Sequence, residues 1–322
     1  MDSPSTHSEP FRVGVLLIDG FALMSYASAL EPFRVANIMA GSQLYRVDHI
    51  GSGEGEARSS GGATVAHTMS FEETDDLDLI LVVAGGDPMH VEDRRTFRWL
   101  RRMARRSVII GGVSGGPVIL ARAGIMDGRR MTVHWEHMAP LAELVSSITI
   151  ERCLYVIQDD RMTCAGGTAA IDMMHAFLSQ RHGPAFARKV SDWLLHTDVR
   201  PAFDPQRAGL TERYGTTSAP VIGAIEAMES HISDPLSLDQ LASLAGTGPR
   251  QLNRLFSEKL GKSTMNVYRD LRLEKARNLL RQSTLTVTEI ALATGFAGSA
   301  HFSQAFRAVY GASPSAFRAG EG

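Results

Sequence analysis

The sequence predicts two architectures in series: an α/β body, a parallel sheet with helices on both faces (flavodoxin-like), and an all-α C-terminal domain with two helix-turn-helix units. Three observations carry this. Short apolar runs that end in glycine alternate with helical patterns over 11–197, the pattern of a parallel sheet with crossover helices. Beyond 220 the strand pattern stops and short helices follow one another to 319. Between them, 198–220 holds Pro201, Pro205, Gly209, Gly215 and Pro220 with little periodicity, the texture of a linker. A chain of 322 residues also exceeds what one hydrophobic core usually serves.

The first strand is Val13-Gly14-Val15-Leu16-Leu17-Ile18, closed by Asp19-Gly20 and followed by a helix over 24–39. Leu79-Ile80-Leu81-Val82-Val83 is a second buried strand, closed by Gly85-Gly86-Asp87-Pro88. A helix over 96–106 leads to a strand at 108–110, which runs into Gly111-Gly112-Val113-Ser114-Gly115-Gly116-Pro117 and a helix over 118–121. Further strands are expected at 131–133, 154–157 and 162–165, the last two joined by an Asp159-Asp160 turn. Helices over 169–180 and 186–196 close the body.

In the tail, Leu238, Leu241, Ala242 and Ala245 share one helical face, and Gly246 ends that helix. A second helix starts at Pro249; Leu252, Leu255, Phe256 and Leu260 form its inner stripe and Arg250, Gln251, Asn253, Arg254 and Ser257 face outward. This is a helix-turn-helix over 238–260. After a long helix over 264–282 the layout returns over 286–310, with Phe302 and Phe306 inward and Ser303, Gln304 and Arg307 outward. The intervening helix is about 28 Å long at ~1.5 Å per residue, which suits adjacent major grooves roughly 34 Å apart.

Composition narrows the function classes. Hydrophobic residues make up 44% and charged residues 21%, and no apolar run approaches the roughly 18 residues of a membrane helix. The first ten residues lack the apolar stretch of a secretory signal, so a cytoplasmic protein is expected. The net charge of −2 is unevenly spread: 249–322 holds 11 basic against 5 acidic residues, and 1–248 holds 22 against 30. A basic tail on an acidic body suits a module that binds nucleic acid. Cys153 and Cys164 cannot build a disulfide framework, and both fall in expected strands as small apolar side chains. His134 and His137, three apart, would share a helix face, but no third ligand is placed by sequence and no metal or cofactor is expected.

Ser114 stands at a strand-to-helix turn, in Gly112-Val113-Ser114-Gly115-Gly116. Such an elbow lifts its side chain above the sheet edge and beside a helix N-terminus, the placement of a hydrolase nucleophile. A Ser-dependent hydrolase or amidase using Ser114 and His134 is therefore one reading. Gly166-Gly167-Thr168, ahead of the 169–180 helix, is either a plain helix cap through the Thr168 hydroxyl or a carboxylate cradle.

The tail resembles the AraC/XylS family of bacterial transcription regulators, most specifically through Ile290-Ala291, Gly295-Phe296, Phe302-Ser303, Phe306-Arg307, Gly311, Ser313-Pro314 and Phe317-Arg318. The resemblance implies DNA contacts from Arg250, Asn253 and Arg254 in the first unit. In the second it implies them from Ser299, Ser303, Gln304 and Arg307. The family often has Arg where Gln304 stands. Residues 12–195 resemble the PfpI-like branch of the class I glutamine amidotransferase-like superfamily, whose elbow normally carries Cys, with a His some twenty residues on and an acid near the first helix. Those positions fall on Ser114, His134 and Ser25, and Gly85-Gly86 matches the glycine pair that offers N–H groups to the pocket.

A hydroxyl is a poorer nucleophile than a thiolate, and serine cannot replace the acid. The missing thiol also argues against a redox sensor. Together the two resemblances look like the GlxA-type subgroup of AraC regulators. They imply an activator working with RNA polymerase, as a homodimer, under a small amine or amino-acid-derived effector such as a quaternary amine. That effector would sit at Ser114, Gly115, His134, Gly85, Gly86, Gly167 and Thr168.

Overall fold

The computed structural model describes residues 9–51, 55–74, 76–282 and 285–319. Its first compact unit is organised by a seven-stranded sheet. The strands are β1 (Phe11–Leu17), β2 (Tyr45–Gly51), β5 (Met69–Ser70), β6 (Leu79–Ala84), β7 (Ile109–Ser114), β10 (Tyr155–Gln158) and β11 (Arg161–Cys164). The order is β10-β11-β7-β6-β1-β2-β5, and every pair is parallel except the β10–β11 hairpin. The short pairs β3 (Glu56–Arg58) with β4 (Thr64–Ala66), and β8 (Arg130–Met131) with β9 (Thr149–Ile150), stand apart from it.

Side chains alternate across β6 and so feed two cores. Leu79, Leu81 and Val83 pack with α1 (Leu23–Ala40), α5 (Ala169–His182) and α6 (Pro184–Trp193). Ile80, Val82 and Ala84 pack on the other face with α2 (Arg94–Met103) and α3 (Gly116–Arg122). Covering both faces is what makes β6 an unbroken apolar run. The β2 strand was not expected from the sequence: Arg46 and Asp48 interrupt its apolar pattern, Arg46 exposed and Asp48 buried with its carboxylate 3.1 Å from Arg46 Nε. The 131–133 strand is shorter than expected, at Arg130–Met131, and pairs with β9.

The chain divides between Gln206 and Arg207, inside the expected 198–220 linker. The stretch up to Gln206 is fastened to the body: Leu154 N–H donates to the Ala202 carbonyl at 2.9 Å, and Gln206 Nε2 reaches the carbonyls of Val133 at 3.0 Å and Cys153 at 2.7 Å. Beyond it, the helix α7 (Leu210–Tyr214) belongs to the C-terminal unit, with Leu210 and Tyr214 packed on that unit's core and Arg213 paired with Glu229 at 2.9 Å. Proline and glycine signalled irregular backbone here, and irregular backbone can still be pinned by its side chains.

The C-terminal unit continues through α8 (Ala219–Ser230), α9 (Leu238–Leu244), α10 (Pro249–Leu260), α11 (Thr264–Gln282), α12 (Val287–Ala293), α13 (Ser299–Tyr310) and α14 (Pro314–Ala319). The helix α11 bridges two cores. Its Val267 and Tyr268 pack with Leu241, Ala242, Leu252 and Phe256. Its Leu273, Ala276, Leu279 and Leu280 pack with Ile290, Ala291, Phe302 and Phe306. Each first helix opens on a reciprocal cap, Ser237 with Gln240 and Thr286 with Glu289, which satisfies amides that the helix itself cannot. Among the described residues no helix is long and apolar enough to cross a membrane.

Candidate functional site

The elbow forms where β7 ends and α3 begins. Ser114 has φ 60°, a left-handed conformation that a non-glycine residue adopts only under constraint. The constraint is close packing: a Cβ on Gly116 would lie 1.9 Å from the Val82 carbonyl oxygen, so only glycine lets the helix start this near β6. Across the turn, Gly166 (φ +88°) comes so close that a Cβ there would lie 2.4 Å from Ser114 Cβ and 2.8 Å from Ser25 Oγ. Ser25, on α1, is buried and accepts the Gly167 N–H at 2.7 Å. Three sequence-distant positions, 25, 114 and 166–167, thus meet at one point.

The groups a hydrolase needs are otherwise engaged. The N–H of Gly115, the oxyanion donor of such an elbow, donates to the Ala84 carbonyl at 3.0 Å. His134 reaches Ser114 through its backbone, N–H to carbonyl at 3.4 Å, while its ring Nδ1 accepts from the Glu136 N–H at 3.4 Å. Among the described residues no hydrogen bond joins the Ser114 hydroxyl to the His134 ring. Burial holds the His134 imidazole below its ordinary pKa, with Glu136 opposing the shift. His134 and His137 do not share a helix face: His134 lies in the turn before α4 (Met138–Leu144), and His137 is that helix's N-cap residue. The Gly85-Gly86 turn packs against the 20–22 loop, where a Cβ on Gly85 would lie 2.8 Å from Ala22 N.

Thr168 departs from the cap reading. It makes no side-chain cap bond, and its exposed hydroxyl instead accepts from Arg200 Nη2 at 2.8 Å. Arg200 also grips the fully buried Asp172 through Nε at 3.0 Å, Nη2 at 2.7 Å and its backbone N–H at 2.9 Å, and His196 Nε2 completes the cluster at 2.7 Å. Sequence reasoning missed Asp172, His196, Arg200 and Gln206. Asp172 lies in an expected helix next to a motif and His196 at the end of another, while Arg200 and Gln206 are brought back by the fastened 198–206 stretch. Cys153 and Cys164 are buried as expected, Cys164 at the end of β11 with its thiol pushed up to about 12 by burial. Cys153, however, sits in a bend before β10 rather than in a strand.

On the C-terminal unit the two second helices present the same surface, since burial along 251–260 and 301–310 agrees position for position. Arg250, Arg254, Gln304 and Arg307 are exposed, and Ser299 and Ser303 half-buried. Asn253 is not a free outward group: its Oδ1 accepts the Thr264 N–H at 2.9 Å, capping α11. Arg254 folds along its own helix onto Glu258 at 2.9 Å, an exposed pair worth ~0.3–0.5 kcal/mol that a phosphate or base would displace.

Four imidazoles of the first unit, His49, His134, His175 and His182, are held below their ordinary pKa, in each case first by burial. The folded unit then binds fewer protons than the unfolded chain, so its stability is present above the ordinary histidine pKa and is lost as pH falls. Its melting temperature, followed by tryptophan fluorescence, is expected to drop between about pH 7.5 and 5.5. A flat profile would mean that these rings are solvated.

A model of the DJ-1/PfpI family matches residues 11–180, and a helix-turn-helix domain model matches residues 241–320. The chain is 42% identical to the HTH-type transcriptional regulator GlxA of Rhizobium meliloti, with 95% of each chain covered. It is 40% identical to the HTH-type transcriptional regulator CdhR of Pseudomonas aeruginosa, covering 94% of this chain and 90% of that one. The crystal structure of an AraC family transcriptional regulator from Pseudomonas putida superposes with a TM-score of 0.53 at 23% identity, over 57% of this chain and 100% of that one, a likeness of fold. With both domains matched and these relatives aligned over nearly their whole length, the chain belongs to the AraC-type HTH transcriptional regulators that carry a DJ-1/PfpI domain.

Proposed function

We propose that this regulator reads DNA through α10 and α13 and is controlled by a small amine or amino-acid derivative held at the Ser114 elbow, whose catalytic chemistry is lost. It activates transcription as a homodimer in contact with RNA polymerase, as its resemblance to the GlxA-type regulators implies. One observation carries the reading of the elbow: the Gly115 N–H that an oxyanion would need is bonded to Ala84, and serines stand where a thiol and an acid would act. The elbow geometry then serves to shape a pocket.

Two substitutions at Ser114 test this. Ser114→Ala is expected to leave the transcriptional response within about twofold of the parent, because a hydroxyl that lines a pocket contributes roughly one neutral hydrogen bond at most. Ser114→Phe should abolish the response by filling the space. Turnover of a small ester or amide by the purified chain, abolished together with the response in Ser114→Ala, would instead establish the hydrolase.

A further inference from the structure

The helix α2 and the turn after it carry a charge that neither the elbow nor the DNA-reading helices use. Positions 94–106 hold seven arginines and no acidic residue, and all seven are exposed, because Phe97, Trp99, Leu100 and Met103 take the buried side. The rest of 1–206 holds 13 basic against 25 acidic residues, so this face is positive on a negative body. Arg95 pairs with Glu72 at 2.8 Å, whereas Arg101 and Arg102 donate to the carbonyls of Ala123 at 2.9 Å and Phe71 at 2.6 Å, which leaves their charge unneutralised. Arg94, Arg98 and Arg105 make no hydrogen bond or ion pair among the described residues. Like charges three and four positions apart, as at 94, 98, 101 and 105, repel along one face, and Arg94 also opposes the positive helix N-terminus. An anion laid along the face removes both penalties.

We propose that this face binds the phosphate backbone of duplex DNA, giving the first unit a sequence-independent hold on the DNA that the C-terminal unit reads. The helix is about 15 Å long at ~1.5 Å per residue, and duplex DNA carries one charge per ~1.7 Å of its axis, so several phosphates fall within reach of one face. Guanidinium groups suit them, since the planar fork meets two phosphate oxygens at once. The acidic remainder of the unit is repelled by the same polyanion, so α2 is the side on which the unit approaches it. DNA is favoured over an acidic protein surface because the two units share one chain: once the C-terminal unit is on DNA, the first is held near phosphates at high effective concentration, and weak contacts then add to the whole.

Fluorescence anisotropy of the full chain on random-sequence duplexes of ~60 bp, read between ~50 and ~200 mM salt, tests this. A variant combining Arg94→Gln, Arg98→Gln and Arg105→Gln is expected to bind about tenfold more weakly at ~50 mM salt for each phosphate let go, with the slope of log affinity against log salt reduced by ~0.9 for each. Its melting temperature should not fall, since these side chains hold no partner and their mutual repulsion is removed. A control combining Arg58→Gln, Arg152→Gln and Lys189→Gln removes the same charge from exposed positions elsewhere on the unit and should stay within about twofold of the parent. Arg94→Lys, Arg98→Lys and Arg105→Lys together, which keep the charge, should keep the parent's slope. Equal losses in the α2 variant and the control, or a slope lost in the lysine variant as well, would overturn the site. Unchanged affinity and slope in the glutamine variant would also overturn it, and a transcriptional response lost at the same time would give the face to an acidic protein instead.

Discussion

Phe302→Ala is expected to destabilise the C-terminal unit by about 3–5 kcal/mol, the cost of emptying a core of a large aromatic ring. The ring is fully buried and lies 5.3 Å from Phe296 and 5.6 Å from Phe306, centroid to centroid. These residues form the core of the second helix-turn-helix alone, since the first has its own around Phe256. The effect is separable by probe. Trp99, Trp135 and Trp193 all precede Gln206, so tryptophan fluorescence in urea should be unchanged while the helical circular dichroism loses part of its amplitude at lower denaturant. A destabilisation below about 1 kcal/mol would mean that the ring is not closely packed.

Arg254→Ala combined with Arg307→Ala is expected to cost about 2–6 kcal/mol of DNA affinity, at ~1–3 kcal/mol for each arginine that no longer reaches a base edge. The two residues stand exposed on α10 and α13, one in each unit, so their effects should add. If either binds a phosphate instead, the penalty is smaller and the dependence of log affinity on log salt falls by about 0.9 for each phosphate released. Fluorescence anisotropy at two salt concentrations distinguishes these. Affinity and slope both unchanged would remove α10 and α13 from the interface.

Much of this was legible in the sequence because its signals are local. The helix expected over 264–282 is α11 to the residue, and the repeat of buried Leu252 and Phe256 by Phe302 and Phe306 follows from spacing alone. The apolar run at 79–83 named the central strand because both its faces are covered. What escaped was set by tertiary structure. Asn253 looks outward on a helical wheel, yet the turn to α11 brings Thr264 back over it. Thr168 has the right position for a cap, and Arg200, 32 residues away, takes its hydroxyl. The Arg200–Asp172–His196 cluster has no spacing signature, since its members meet only after α5 and α6 fold back on each other.

The central claim is that two equivalent surfaces, joined through α11, read one DNA duplex. Selection of random duplexes by the full chain, followed by sequencing of the bound pool, measures this most directly. The predicted result is enrichment of two short blocks whose centres lie about one helical turn, roughly 10 bp, apart, with Arg254→Ala relaxing one block and Arg307→Ala the other. A single enriched block, or a pool with no enrichment at low and moderate salt alike, would contradict it.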